Sequence, residues 1–113
     1  MALAIRVLGF GDLTTVTTSK QDLHTTSVPN GKAQIVKAMR FYNTSTSALV
    51  GINVFLTHGG TDKQISPTNL TLQPGATFID DTEITLEQGD KLRGNLSATG
   101  TVNFVISGIE RDA

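Results

Sequence analysis

The sequence predicts an all-β domain: an antiparallel β-sandwich, jelly-roll-like, of about eight strands. Three observations carry this. Threonine (17), valine (8) and isoleucine (8) supply 33 of the 113 residues, and β-branched side chains fit a pleated surface better than a helix. Eleven glycines and three prolines punctuate the chain, so short apolar runs alternate with turns, the spacing of a sandwich or barrel. Residues 50–57 alternate strictly between apolar and other side chains, the period of a half-buried strand. The length suits a single domain with its own core, residues 1–113, with 1–20 as an extended arm or first strand.

The elements follow in order. Leu3 to Phe10 is the first strand signal, with Leu3, Ile5 and Val7 on one face and Ala4, Arg6 and Leu8 on the other. Gly9 and Gly11 interrupt it, as a bulge or bend does. Leu13 to Ser19, where Thr14, Thr15, Thr17 and Thr18 surround Val16, is an edge strand or part of an arm. Leu23 to Val28 is a short strand closed by Pro29-Asn30-Gly31, a tight turn in which Gly31 takes positive φ. Ala33 to Asn43 is a clear strand in which Ile35, Met39 and Phe41 share parity.

Asn43-Thr44-Ser45-Thr46-Ser47 is a polar loop. In the strand beyond it Val50, Ile52, Val54 and Leu56 face one way, and the short connection predicts that it pairs antiparallel with 33–43. Turns at 58–62, Pro67, Gln73-Pro74-Gly75 and Gln88-Gly89-Asp90 separate short strands at 63–66, 69–72, 76–79, 83–86 and 92–96. Thr101 to Ile109 closes the domain, with Val102, Phe104 and Ile106 facing one way.

Composition excludes several function classes. Nine basic against ten acidic residues, net charge −1, give none of the basic excess of a nucleic-acid binder. With no cysteine there is no disulfide, thiolate nucleophile or Cys–metal site. No apolar run approaches the ~20 residues of a membrane span, and no signal-peptide pattern is evident. Neither nucleic acid nor membrane is expected as a partner.

Local motifs add no chemistry. His24 and His58 have no His-x-His or Glu-x-x-His spacing near them, and metal sites need three or four convergent ligands, so both are expected to be ordinary surface histidines. The turns at 74–75 and 88–90 resemble those of cupin jelly rolls, whose histidine and glutamate ligands are absent. Asp80, Asp81 and Glu83, followed by Glu87 and Asp90, are the densest acidic patch. Without an Asp-x-Asp-x-Asp-Gly loop they are expected to be a solvated turn. No Gly-x-Ser-x-Gly elbow is present, and Ser107 before Gly108 is expected to be a strand hydroxyl. Asn43, Asn69 and Asn95 begin Asn-x-Ser/Thr triplets of the kind that recur by chance in a Ser/Thr-rich chain. No cofactor, metal or catalytic residue is expected, and no enzyme.

What remains points to assembly. Edge strands must be covered or blunted, and the N-terminal segment is apolar enough to do this across a subunit boundary through main-chain hydrogen bonds. Leu3, Ile5, Val7, Leu8 and Phe10 are the candidate assembly interface.

The run Thr25-Thr26-Ser27-Val28-Pro29-Asn30-Gly31-Lys32-Ala33-Gln34-Ile35-Val36-Lys37, continuing through Met39-Arg40-Phe41-Tyr42-Asn43-Thr44-Ser45, resembles a stretch of small structural proteins of tailed bacteriophages. Leu72-Gln73-Pro74-Gly75, Leu86 to Leu92 around Gly89-Asp90, and Val102 to Glu110 resemble its later turns and last strand. The resemblance spans about 23–110 and departs at Asn30, where the pattern has Gly or Ala. It implies a non-enzymatic virion component, a β-sandwich that forms a symmetric oligomer, assembled in the host cytoplasm; no functional residue transfers. The function expected first is a homotrimeric capsid decoration (cement) protein, with itself and the major capsid protein as partners. A tail- or fibre-associated module touching tail proteins is second. A carbohydrate-binding module is third, weakened by the absence of tryptophan and a lone Tyr42.

Overall fold

A computed structural model describes residues 3–16, 19–24, 27–44, 50–66 and 70–112. Thr17, Thr18, the loop residues Ser45-Thr46-Ser47, and the Pro67 and Asn69 expectations lie outside the described residues. Ten strands form: β1 (Leu3–Leu13), β2 (Gln21–Asp22), β3 (Lys32–Asn43), β4 (Val50–His58), β5 (Thr61–Gln64), β6 (Leu70–Leu72), β7 (Thr77–Asp80), β8 (Ile84–Leu86), β9 (Lys91–Leu96) and β10 (Val102–Asp112).

They make two antiparallel sheets. In the first, sheet A, the order is β1-β10-β3-β7, with β8 on β3 beside the β7 position; in the second, sheet B, it is β2-β9-β4-β5, with β6 likewise on β4. β5 with β6, and β7 with β8, are each one edge strand broken in two. Counted so, there are eight strands in two sheets of four, and every connection except the β4–β5 hairpin crosses from one sheet to the other. That order is a jelly roll. The prediction of an all-β, jelly-roll-like sandwich of about eight strands therefore holds.

Pairing of 33–43 with the strand after it does not hold. β3 lies in sheet A and β4 in sheet B: both sides of β3 are taken by β10 and β7, and those of β4 by β9 and by β5, the strand that follows it in a hairpin. The short connection crosses the sandwich instead of turning a hairpin.

The core lies between the sheets. Val50, Ile52 and Val54 of β4 and Val102, Phe104 and Ile106 of β10 are buried, as their alternation predicts. Phe41 is fully buried, with Phe78 and Phe104 at ring-centroid distances of 6.4 and 6.5 Å. The turns form where proline and glycine place them: Lys32 N–H donates to the Pro29 carbonyl, and Ala76 N–H to that of Gln73.

Two bulges change the faces of the long strands. In β1 the register shifts between Val7 and Gly9, leaving Leu8 as the extra residue. In β3, Val36 and Ala38 face Gly108 and Ser107, leaving Lys37 as the extra residue. Backbone crowds against backbone there. A Cβ on Gly9 would come 2.2 Å from the Leu23 carbonyl oxygen, and one on Gly108 would come 2.1 Å from that of Ile35. Only glycine fits either position.

Candidate functional site

The segment 3–13 is a strand, not a free arm: β1 pairs with β10 from Leu3↔Arg111 to Leu13↔Val102. It is also an edge. Among the described residues no strand pairs with its other side.

The bulge decides which candidate interface residues face out. Ile5 and Val7 stand opposite Ile109 and Ser107 on the outer face, and past the bulge Phe10 joins them opposite Val105. They are 92%, 58% and 74% exposed. Leu3 lies in the same strand. Leu8 is the correction: as the bulge residue it turns inward and is buried, packing against Gly108 and closing the core. It has no surface to offer a partner.

Outer-face residues continue across sheet A in register. Ile5, Ile109 and Ile35 lie side by side, then Val7, Ser107 and Ala38, then Phe10, Val105, Arg40 and Ile79. Ile79 is 55% exposed and Tyr42, one step further along, 41%. A depression of about 180 Å³ lies between Ala38, Arg40, Ile79, Val105 and Ser107, below the ~300 Å³ at which small-molecule pockets begin; a wider one of about 410 Å³ opens at the sheet's end by Ala33, Thr85 and Arg111.

The outer face of sheet B is different. Asp22 pairs with Arg93 and Lys91, and Asp62 with Lys20. The aromatic ring there, Phe55, lies under the Lys20 ammonium, 4.6 Å from the ring centre. The Ser19 carbonyl accepts from Asn95 Nδ2, and Gln64 donates to Asn53. Sheet B is thus polar, ion-paired and roofed by the chain around residues 19–20. Sheet A presents apolar side chains with no roof among the described residues. Contiguous exposed apolar surface of this kind marks interaction sites.

Two polar clusters appear that sequence spacing did not bring together. In the first, Arg6 donates to Glu110 Oε1 (3.0 Å), Gln34 donates to Glu110 Oε2 (2.8 Å), and His24 Nε2 bonds Gln34 Oε1 (2.8 Å). The Leu92 N–H donates to His24 Nδ1 at 3.1 Å, which fixes the neutral ring with its proton on Nε2. His24, Gln34 and Glu110 are buried. Contrary to expectation, His24 is not a surface histidine, because Leu23 and His24 both bond the Leu92 carbonyl and are drawn between the sheets. Burial holds its pKa below the ordinary value, against the opposing Gln34 hydrogen bond.

The second cluster is His58, Glu87 and Asp90, the one grouping of potential metal ligands among the described residues. Buried Asp90 accepts from His58 Nδ1 at 2.6 Å and from the Glu87 N–H at 2.8 Å, while Glu87 stands 3.8 Å from Nε2. The imidazole is held between two carboxylates, and the Asp90 hydrogen bond raises its pKa. This is an ion-pair clamp joining the β4 end to the 87–90 turn. Asp80 and Glu83 end and follow β7, with Glu83 paired to Lys37, a solvated turn as expected; Asp90 departs from that expectation, because its carboxylate is turned in to cap the 87–90 turn and hold His58. Asn43 and Asn95, which begin two of the Asn-x-Ser/Thr triplets, are buried.

Fold and surface together define a jelly-roll β-sandwich in which, among the described residues, one outer face is ion-paired and roofed and the other is neither. Among solved structures, it is similar to a chain in the structure of infectious bursal disease virus Gt strain, with a TM-score of 0.51 and 11% identity. The match covers 96% of this chain and 32% of that one, so this chain spans about a third of its neighbour's length. No protein-family model matches the sequence, and no curated protein does.

Proposed function

We propose that this chain is a non-enzymatic virion structural protein that self-associates through β1 and the outer face of sheet A. The finer reading is a homo-oligomeric capsid decoration protein of a tailed bacteriophage, trimeric as the family resemblance implies, bridging subunits of the major capsid protein. The observation that carries it is the uncovered apolar face with Ile5, Val7 and Phe10 along an unpaired edge. A lone soluble chain blunts such an edge with charge, proline, a bulge or a covering segment; β1 carries the bulge at Leu8 and the inward charge of Arg6, but among the described residues no outward charge, proline or covering strand lies along it between Ile5 and Phe10. The whole-chain likeness to part of a virus chain supports the same reading.

The test is sedimentation of the purified chain, with binding to expanded capsids that lack it. Expected are a defined oligomer and saturable, stoichiometric binding. A strict monomer that leaves such capsids bare overturns the cement reading. Binding to tails or fibres of the intact particle, seen by electron microscopy, would move it to the tail-associated class.

A further inference from the structure

We infer that two copies of this chain join β1 to β1, antiparallel about a two-fold axis, in one register: Val7 of each copy opposite Phe10 of the other, and Ile5 opposite Asp12. This rests on the self-association proposed above and adds its symmetry and alignment.

The argument starts from the order of faces along β1. Ile5, Val7, Phe10 and Asp12 stand outward, opposite Ile109, Ser107, Val105 and Asn103. Arg6, Leu8, Gly9 and Gly11 stand inward. Arg6 reaches buried Glu110, Leu8 is buried, and a Cβ on Gly9 would strike the Leu23 carbonyl. One on Gly11 would meet the Phe104 ring. From residue 5 to residue 12 the faces read out, in, out, in, in, out, in, out. The order is the same from either end.

That symmetry is the bulge's work. In an evenly alternating strand, every second antiparallel self-register matches faces, so none is singled out. With the extra residue at Leu8, one register matches over the whole stretch, the one in which Leu8 meets Gly9. Any other register sets an inward residue against an outward one within the stretch or aligns only a short end of it. The matched register also fits by size. Leu8 faces Gly9 and Arg6 faces Gly11, so each larger inner side chain meets a residue with none. Outside, Val7 lies beside Phe10 twice, a β-branched–aromatic cross-strand pair.

Among the described residues no strand pairs with the other side of β1. At its far end the Asp12 carbonyl accepts from Gln21 Nε2 at 2.7 Å, a bond that pairing through Asp12 replaces with a main-chain one. Pairing would carry sheet A through to the sheet A of the second copy and bring the two Ile5–Val7–Phe10 stripes together. A two-fold contact is self-complementary and closes at two copies. The β1 contact is therefore not the contact of the proposed trimer, which would lie on another surface; the two together yield six copies.

The chain has no cysteine, so cross-linking reads the register directly. Val7→Cys and Phe10→Cys are made separately, both at exposed positions, and oxidised alone and mixed. A disulfide needs Cα atoms within about 4.4–6.8 Å, so the mixture is expected to give about tenfold more linked dimer than either variant alone. Val7→Lys, with unchanged far-UV circular dichroism, is expected to weaken the dimer about tenfold or more in sedimentation equilibrium, since a charge then faces Phe10. An unmodified chain that stays monomeric at high concentration overturns both this pairing and the self-association reading. Oligomers in which 7–10 linkage is no better than 7–7 or 10–10 leave self-association standing and overturn the pairing.

Discussion

Replacing His24 with leucine removes a ring that bonds on both sides and leaves a side chain of similar size. The Leu92 N–H loses its acceptor at 3.1 Å, and Gln34 Oε1 loses its donor at 2.8 Å. His24 and Gln34 are 6% and 4% exposed, so water does not readily replace either bond. Each buried group left without a partner costs about 1–3 kcal/mol, and the pair about 2–6 kcal/mol. Against a total stability of about 5–15 kcal/mol for a domain of this kind, that is a large share. At about 4 °C per kcal/mol, the lower figure suited to a chain slightly above 100 residues, the melting temperature falls by about 8–24 °C. Far-UV circular dichroism in urea and heat reads both quantities, as the chain has no tryptophan and one tyrosine.

The same substitution has a pH signature. His24 is neutral in the fold and its pKa is lowered, chiefly by burial, from the ordinary 6.5. A group whose folded pKa is depressed contributes stability above its unfolded pKa and loses it as pH falls through the folded one. The gap between the native chain and His24→Leu is therefore widest near pH 7.5 and narrows toward pH 5. If the variant costs less than about 0.5 kcal/mol at pH 7.5, the scatter of ordinary surface changes, and the two pH curves run parallel, the buried chain of bonds from Arg6 to Leu92 does not hold the sheets together.

Other expectations follow from single contacts. Gly108→Ala places a methyl 2.1 Å from the Ile35 carbonyl oxygen and 2.9 Å from Leu8 Cδ1; overpacking of this order costs about 1–3 kcal/mol, read as a lower urea midpoint at unchanged slope. Phe41→Ala empties a fully buried site between Phe78 and Phe104, at about 3–5 kcal/mol, and calorimetry should show a marginal fold at 37 °C. His58→Asn has the opposite pH profile to His24→Leu. Its hydrogen bond to Asp90 raises the pKa above 6.5, so its stabilisation is whole below 6.5 and fades as pH rises through the folded value. Denaturation midpoints of the two proteins should converge on the alkaline side.

Much of the fold was legible in the sequence, since alternation and turn chemistry are local. Val50, Ile52, Val54, Val102, Phe104 and Ile106 lie inside because each strand keeps a strict period of two. The failures lie at the bulges. Ile35 shares odd numbering with Met39 and Phe41, but the extra residue Lys37 turns it outward and brings Val36 in. In β1 the bulge separates Phe10 from Leu8 and sets it beside Ile5 and Val7. Gly9 and Gly108 are the visible signals of both irregularities, yet a glycine does not say which neighbour becomes the extra residue. The link from Gln34 to Glu110 spans 76 positions. Neither it nor the isoleucine row Ile5–Ile109–Ile35 has any sequence spacing to find, because strand order alone creates both.

Net charge was the least informative number in the sequence, and its distribution is among the most informative features of the structure. Lys20, Asp22, Asp62, Lys91 and Arg93 are concentrated on the outer face of sheet B, where they neutralise one another. On sheet A, Arg6 is paired with Glu110 and Lys37 with Glu83, while Arg40 stands within the outer face between Val105 and Ile79. A chain evolved to stay alone would gain solubility by spreading those charges over both faces, and the absence of charge along Ile5, Val7 and Phe10 would be a liability. It ceases to be one if that face is covered in the assembled state. On the self-association proposed above, the edge left unpaired among the described residues, the apolar stripe and the paired charges opposite have one explanation: a sandwich whose second face is completed by a neighbour.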